Sequence, residues 1–162
     1  MNTYEIKFFI YIALSSLFIL NLDIATNTAI IRTLRQYSTL EKFKLLVLMW
    51  IHAIVWIIVF SGIVLSLLNL TGFHKGTRII YLICFIVSVA VTIQWFIFNN
   101  RCVLTLELNQ MLNIHKDCEY RTPFMVLSNT NTDKLSMDTK FKDYIINFIS
   151  IFMLAFILWN QR

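Results

Sequence analysis

The feature that most constrains this chain is one long uncharged run. From Leu45 to Phe73, 29 consecutive residues include no Asp, Glu, Lys or Arg. About 20 apolar residues cross the hydrocarbon core of a bilayer, and lipid offers no hydrogen-bond partner to an open backbone. The run therefore predicts a membrane-spanning helix. The whole chain agrees, because 58% of its residues are hydrophobic and 14% are charged, against about 25% charged in a soluble domain.

Three shorter uncharged runs accompany the first, at Phe8–Leu22, Ile79–Asn100 and Tyr144–Gln161. We therefore predict an all-α fold, a four-helix transmembrane bundle that forms a single integral membrane domain over residues 1–162. The predicted spans are about 6–27, 45–69, 79–101 and 143–161. The first run also has the length of a signal-peptide core, but no A-x-A cleavage signal follows it, which favours a retained helix.

Basic residues set the expected orientation of the bundle. With four spans, the loops 23–44 and 101–143 share one side of the membrane, and together they hold ten of the 14 Lys and Arg residues. Loops rich in Lys and Arg favour the cytoplasm, so both termini are expected outside or in the lumen. The net charge of +5 is spread along the chain without a basic block, so no nucleic-acid partner is expected.

The loop between spans three and four divides into two predicted parts. Residues 101–115 keep a helical rhythm in which Leu104, Leu108 and Met111 share one face, a pattern typical of a short interfacial helix. Residues 128–138 are polar and aperiodic, so they have little apolar surface to bury. We predict that this second part is a mobile cytoplasmic connector.

His52 is the most informative single residue, because it lies several residues inside the second span. An ionisable group at that depth normally faces the bundle and has a partner. The short link at residues 74–78 predicts that spans two and three form an antiparallel hairpin, which brings Gln94 to the depth of His52. We expect a His52–Gln94 hydrogen bond. Two roles stay open for the imidazole: a ligand or proton-transfer group, and a neutral ring that joins two helices.

The same hairpin collects further polar groups at its cytoplasmic end. The predicted polar cluster contains His52, Gln94, Cys102, Thr105 and Glu107. Within it, His52, Cys102 and Glu107 are the candidate catalytic residues, since an imidazole, a thiol and a carboxyl group can exchange protons or attack a substrate.

Metal and cofactor sites are not expected from the sequence. His52, Cys102, His115 and Cys118 are residue types that bind zinc, but their spacing matches no zinc motif. The chain also contains no Gly-rich phosphate loop and no hydrolase or metalloprotease motif. We predict neither a bound metal nor a cofactor.

Small and hydroxylated residues mark the expected contacts between helices, because they let two helices approach closely. They are Gly62 and Ser66 on span two and Cys84, Ser88 and Thr92 on span three. The four Trp residues lie toward the span ends, where they are expected to anchor the membrane interface.

Residues 45 to about 124 resemble a family of small multi-pass membrane proteins of unknown function, best known from bacteria. That family's pattern is a span with a His and a later Gly, a second span, and a C-P-L-T-x-L-E motif at the membrane surface. Here His52 and Gly62 precede the sequence Cys102-Val-Leu-Thr-Leu-Glu107. Val103 replaces the Pro, and the acid comes one residue early. The resemblance draws attention to His52, Cys102, Thr105 and Glu107 without implying a reaction.

Three classes of function remain. The first is a non-enzymatic multi-pass protein that serves as a scaffold, an accessory subunit or an envelope component. The alternative is a membrane enzyme that acts on a lipid or quinone at the cytoplasmic interface through His52, Cys102 and Glu107. The third is a small channel or transporter. The expected partners are the lipid bilayer and a homo- or hetero-oligomer within it.

Overall fold

The computed structural model describes residues 2–72, 77–98, 102–114, 123–127 and 137–161, and these residues are helical with no strand. The helices, in chain order, are α1 (Thr3–Thr26), α2 (Thr28–Gln36), α3 (Thr39–Leu70), α4 (Arg78–Ile97), α5 (Val103–Met111), α6 (Pro123–Leu127) and α7 (Met137–Asn160). The predicted all-α class is confirmed. Within the described ranges, α1, α3 and α4 are long and apolar enough to cross a membrane, and α7 contributes a shorter apolar stretch, Ile145–Asn160.

Capping residues set the starts of the two longest helices. Asn2 and Glu5 form a capping box at α1, in which each side chain accepts a hydrogen bond from the other residue's backbone N–H. Ser38 and Glu41 form the same motif at α3. As a result α3 begins at Thr39, six residues before the predicted boundary at 45. Its 32 residues give a length of about 48 Å at 1.5 Å per residue.

The other boundaries differ from the prediction for local reasons. The first predicted span ended at 27, but α1 ends at Thr26, since the Asn27 side chain accepts from the Ala29 N–H and starts α2. The sequence analysis missed α2. The third span was predicted to reach 101, but α4 ends at Ile97. The helix expected after it is α5, which ends at Met111.

Most of the predicted connector lies outside the described residues. The structure describes residues 137 and 138 of the predicted 128–138 segment, and both belong to α7. The preceding loop contains α6, a five-residue helix that the sequence analysis did not predict. Val126 of α6 is buried and belongs to the core cluster that includes Ile12 and Ile57. This part of the loop therefore packs against α1 and α3.

Helix α3 is the centre of the structure, because it packs against α1, α4, α5, α6 and α7. Helices α3 and α4 form the expected antiparallel hairpin. Near its closed end the Asn69 amide donates to the Tyr81 hydroxyl at 3.0 Å, and farther along Val59 packs against Val91 and Trp95. The polar cluster predicted from the sequence falls toward the open end of this hairpin, where α5 lies against α3.

The surface has the opposite polarity to that of a water-soluble protein. On α1, Ser16 and Asp23 are buried, while Leu14 and Phe18 are 64% and 61% exposed. On α7, the buried residues include Asn147 and Ser150, while the exposed residues include Ile149, Phe152, Phe156 and Trp159. Large apolar side chains thus cover the outside of the bundle, and many of the polar side chains of the long helices lie inside it.

A polar cluster between α3, α4 and α5

His52 lies on the face of α3 that meets α5, and it is 2% exposed. Its Nε2 atom accepts a hydrogen bond from the indole Nε1–H of Trp56, one helical turn later, at 3.1 Å. The Thr105 hydroxyl lies 3.3 Å from the same nitrogen. Because an indole N–H can only donate, Nε2 must be the unprotonated nitrogen of the ring. A neutral His52 therefore carries its proton on Nδ1, and Thr105 donates to Nε2.

Cys102 and Gln94 form a second contact beside the first. Cys102 is the N-cap of α5 and is buried, and its thiol donates to the Gln94 side-chain oxygen with the two atoms 3.6 Å apart. The expected partner of Gln94 was His52. The contact instead links Gln94, near the end of α4, to the residue that begins α5, so it joins these two helices.

Glu107 lies at the rim of the cluster. Its carboxylate pairs with the Lys44 ammonium at 2.5 Å, and the two side chains are 41% and 57% exposed respectively. A solvent-exposed ion pair contributes about 0–1 kcal/mol to stability. The pair connects α5 to the first turns of α3, near the contact that the Tyr37 hydroxyl makes with the Met111 carbonyl.

The three candidate catalytic groups thus have different partners. His52 contacts Trp56 and Thr105, Cys102 contacts Gln94, and Glu107 pairs with Lys44. His52 is close to the start of α5, whereas Glu107 faces the exposed first turns of α3. The arrangement joins α3, α4 and α5 mechanically through side-chain contacts.

The described residues contain no group of three or more His, Cys, Asp or Glu side chains placed to hold a metal ion. His115 and Cys118, which the sequence analysis considered as zinc ligands, lie outside the described residues. Cys84 and Cys102 are free, buried thiols.

The five residues proposed to line the helix contacts are all buried: Gly62, Ser66, Cys84, Ser88 and Thr92. A Cβ atom on Gly62 would lie 3.0 Å from the Cys84 Cβ and 3.3 Å from Leu154 of α7. The hydroxyl of Thr92 accepts a hydrogen bond from the Asn147 amide at 2.7 Å, and that amide also contacts the Ser88 carbonyl at 3.3 Å. Asn147 thereby connects α7 to α4.

Several polar residues in the bundle were missed by the sequence analysis. Trp50 donates to the Ser16 hydroxyl at 2.8 Å and so joins α3 to α1. Trp56 bonds His52, and Trp95 is buried against Val59. Trp95 is 7% exposed, so its indole packs inside the bundle. The i, i+4 spacing of His52 and Trp56 was the available signal for their contact.

Asp23, which follows the first uncharged run, is a further candidate to line a pocket with His52, Cys102 and Glu107. It is 3% exposed, and with His52 it lines a small cavity between α1, α3 and α6. A charged residue at the end of the first span was visible in the sequence. Its approach to His52 depends on the antiparallel packing of α1 and α3.

Comparisons with protein-family models, curated proteins and solved structures found no match.

Proposed function

We propose that this chain is a multi-pass integral membrane protein whose four spans are α1, α3, α4 and α7. The observation that carries the proposal is the apolar exterior of the bundle. Leu14, Ile93 and Phe152, on three different helices, are 64%, 52% and 73% exposed. Water would make such a surface strongly unfavourable, since large exposed apolar patches drive association, whereas lipid solvates it.

The fourth span is supported by the packing of α7. This helix packs against both α3 and α4, and its 24 residues would measure about 36 Å. Asn147 and Ser150 face the bundle, and Ile149 and Phe156 face outward. With four spans, the distribution of Lys and Arg favours termini outside or in the lumen.

For the role of the protein, we favour a non-enzymatic scaffold or accessory component. The partners described above support this choice, because His52 and Cys102 are held in contacts between helices and Glu107 is held in a surface ion pair. The alternative, an enzyme that acts on a lipid or quinone, needs His52, Cys102 and Glu107 to address one reacting atom.

We also propose a physical reason for the sequence pattern that the chain shares with the family of small multi-pass membrane proteins it resembles. Two parts of the shared pattern, His52 in the span and Thr105 in the C-P-L-T-x-L-E region, are in contact at 3.3 Å. We propose that the pattern reflects this join between α3 and α5.

Extraction tests the membrane assignment. Membranes that contain the chain are washed with alkaline carbonate, and the pellet and supernatant are compared. An integral protein stays in the pellet and is released only by detergent, as expected here. Release by carbonate alone would contradict the proposal.

Membrane composition distinguishes the two roles. Lipids and quinones are profiled in cells that express the natural chain, His52→Gln or Cys102→Ser at equal levels. The scaffold role predicts the same profile in all three. A lipid or quinone profile that changes when the natural chain is expressed, and that in both variants matches cells without the chain, would favour the enzyme.

A further inference from the structure

A groove of about 440 Å³ opens between α1 and α3. Its volume falls within the range of about 300–1,000 Å³ that is typical of ligand pockets. Aromatic and aliphatic side chains form most of its wall. They include Tyr11, Phe18, Trp56, Phe60, Pro123 and Leu127.

The groove is continuous with the apolar exterior of the bundle. Leu14 and Phe18 on its α1 side are 64% and 61% exposed, and Phe60 on its α3 side is 40% exposed. In a bilayer these side chains face hydrocarbon, so the mouth of the groove opens into the lipid phase. A ligand that enters from there must itself be apolar where it contacts the wall.

The volume matches one chain. At 440 Å³ the groove lies in the lower half of the range of about 300–1,000 Å³ for ligand pockets, which suits a single hydrocarbon chain better than a whole two-chain lipid.

Helix α6 limits one end of the groove. Pro123 and Leu127 contribute to its wall, and Val126, between them, is buried in the core between α1 and α3. Pro123 and Ile19 also line the second cavity, beside Asp23 and His52, which measures about 10 Å³. A cavity of that size holds about one water molecule. A lipid headgroup therefore does not fit past α6.

We propose that the groove between α1 and α3 binds one hydrocarbon chain of a membrane lipid, with α6 as its end stop. The proposal rests on the proposed membrane function. It assigns to α6 a role beyond connecting α5 and α7, because Pro123 and Leu127 of this helix form part of the groove wall.

Photolabelling tests the proposal. The full chain is reconstituted in phosphatidylcholine vesicles that contain an increasing small fraction of phosphatidylcholine with a diazirine on one acyl chain. After irradiation, adducts are mapped by mass spectrometry. Labelling of Tyr11, Phe18 and Phe60 should reach a plateau at low probe fraction, while labelling of Ile93 and Phe152, exposed residues of α4 and α7 outside the groove, should rise in proportion.

A groove-filling variant provides the second arm. Ser15 is half-buried in the groove wall, so Ser15→Phe should lower groove adducts at least threefold. The matched control is Ile86→Phe, on the exposed face of α4, which should leave them unchanged. If Ser15→Phe does not fold by circular dichroism, Leu14→Trp narrows the groove from the exposed side.

The outcomes separate the two proposals. One contrary result is labelling that follows the exposure of each residue alone, with no plateau and no response to Ser15→Phe or Leu14→Trp. That result would overturn the proposal that the groove binds a lipid chain and would leave the membrane assignment intact. Lipid adducts at Ile93 and Phe152 without any at Tyr11, Phe18 and Phe60 would also overturn it, since the groove would then be closed to lipid. Absence of labelling at all exposed apolar positions would overturn the membrane assignment as well.

Discussion

Several buried polar side chains of this protein are held by specific partners, and His52 shows how. Its imidazole accepts from Trp56 on its own helix and from Thr105 on α5. A polar group in hydrocarbon is costly when its hydrogen-bonding capacity is unmet. Trp56 and Thr105 would each lose an acceptor if His52 were apolar. The imidazole therefore provides the acceptor for two neighbouring side chains.

We expect His52→Leu to lower stability and His52→Gln to lower it less. Leu removes the acceptor and leaves the part-buried indole N–H of Trp56 and the buried hydroxyl of Thr105 without it, at a cost of about 1–3 kcal/mol. Gln keeps an acceptor oxygen. Thermal unfolding in detergent measures both variants. Equal stability of the natural chain and His52→Leu would contradict a structural role for His52.

The contact between His52 and Thr105 can be isolated by a double-mutant cycle with Thr105→Val, which keeps the shape of the side chain. Two residues in direct contact couple by about 0.5–3 kcal/mol, whereas distant residues add within about 0.5 kcal/mol. Unfolding measurements on the two single variants and the double variant should give a coupling of about 0.5–3 kcal/mol. Strict additivity would indicate that the two side chains do not interact.

The burial of His52 could be predicted from the sequence, but its hydrogen-bond partners could not. The burial follows from depth in an apolar run, which is local information. Thr105 reaches His52 because α5 lies against α3, where Ile30, Leu45 and Leu108 from three helices pack together. No spacing rule within one segment contains that arrangement.

Helix contacts in this bundle combine close approach with a few polar links. Gly62 allows α3 to approach α4 and α7, because the Cys84 Cβ already lies near the position where a side chain would begin. Asn147 then links α7 to α4 through Thr92. In a membrane, apolar packing alone favours contact with another helix over contact with lipid only weakly. The close approach at Gly62 and the hydrogen bond from Asn147 therefore specify which helix faces meet.

We expect Gly62→Ala to destabilise the bundle. In an exposed helix the change gains about 1 kcal/mol of helix propensity, but overpacking a tight contact costs about 1–3 kcal/mol. The Cys84 Cβ cannot rotate away, so the second effect should prevail. Thermal unfolding in detergent checks the sign. The control is Ser15→Ala, a half-buried α1 residue outside this contact, which should have a smaller effect. A more stable Gly62→Ala would contradict the close approach.

Asn147→Leu tests the polar link between α7 and α4. Interhelical hydrogen bonds in membranes contribute about 0.6–2 kcal/mol, and we expect a loss in that range. Unfolding in a detergent series is a suitable measurement, with Ile146→Leu on the exposed face of α7 as the matched control. If both variants unfold like the natural chain, Asn147 does not hold α7.

At the scale of elements, apolar run length predicted the long helices, and local capping decided where they begin. The capping box at Ser38 was readable in the sequence and would have placed the start of α3 correctly. The short helices were harder to predict. Helix α2 exists because Asn27 restarts the chain after α1, and α6 is fixed by the burial of Val126 against distant helices.

For the whole molecule, the arrangement of polarity explains the composition. A bundle with lipid on its outside needs apolar residues there, and its interior can hold Ser, Thr, Asn, Asp and His side chains. That combination accounts for a chain with 58% hydrophobic and 14% charged residues.

The number of spans is the central claim, and the location of the two termini tests it most directly. N-glycosylation acceptor sites are placed on spacers at the N-terminus, at the C-terminus and, separately, between residues 128 and 136, and each chain is synthesised with microsomes. Four spans with the proposed orientation predict glycosylation at both termini and none in the loop. Glycosylation at one terminus only would mean an odd number of spans and would contradict the account.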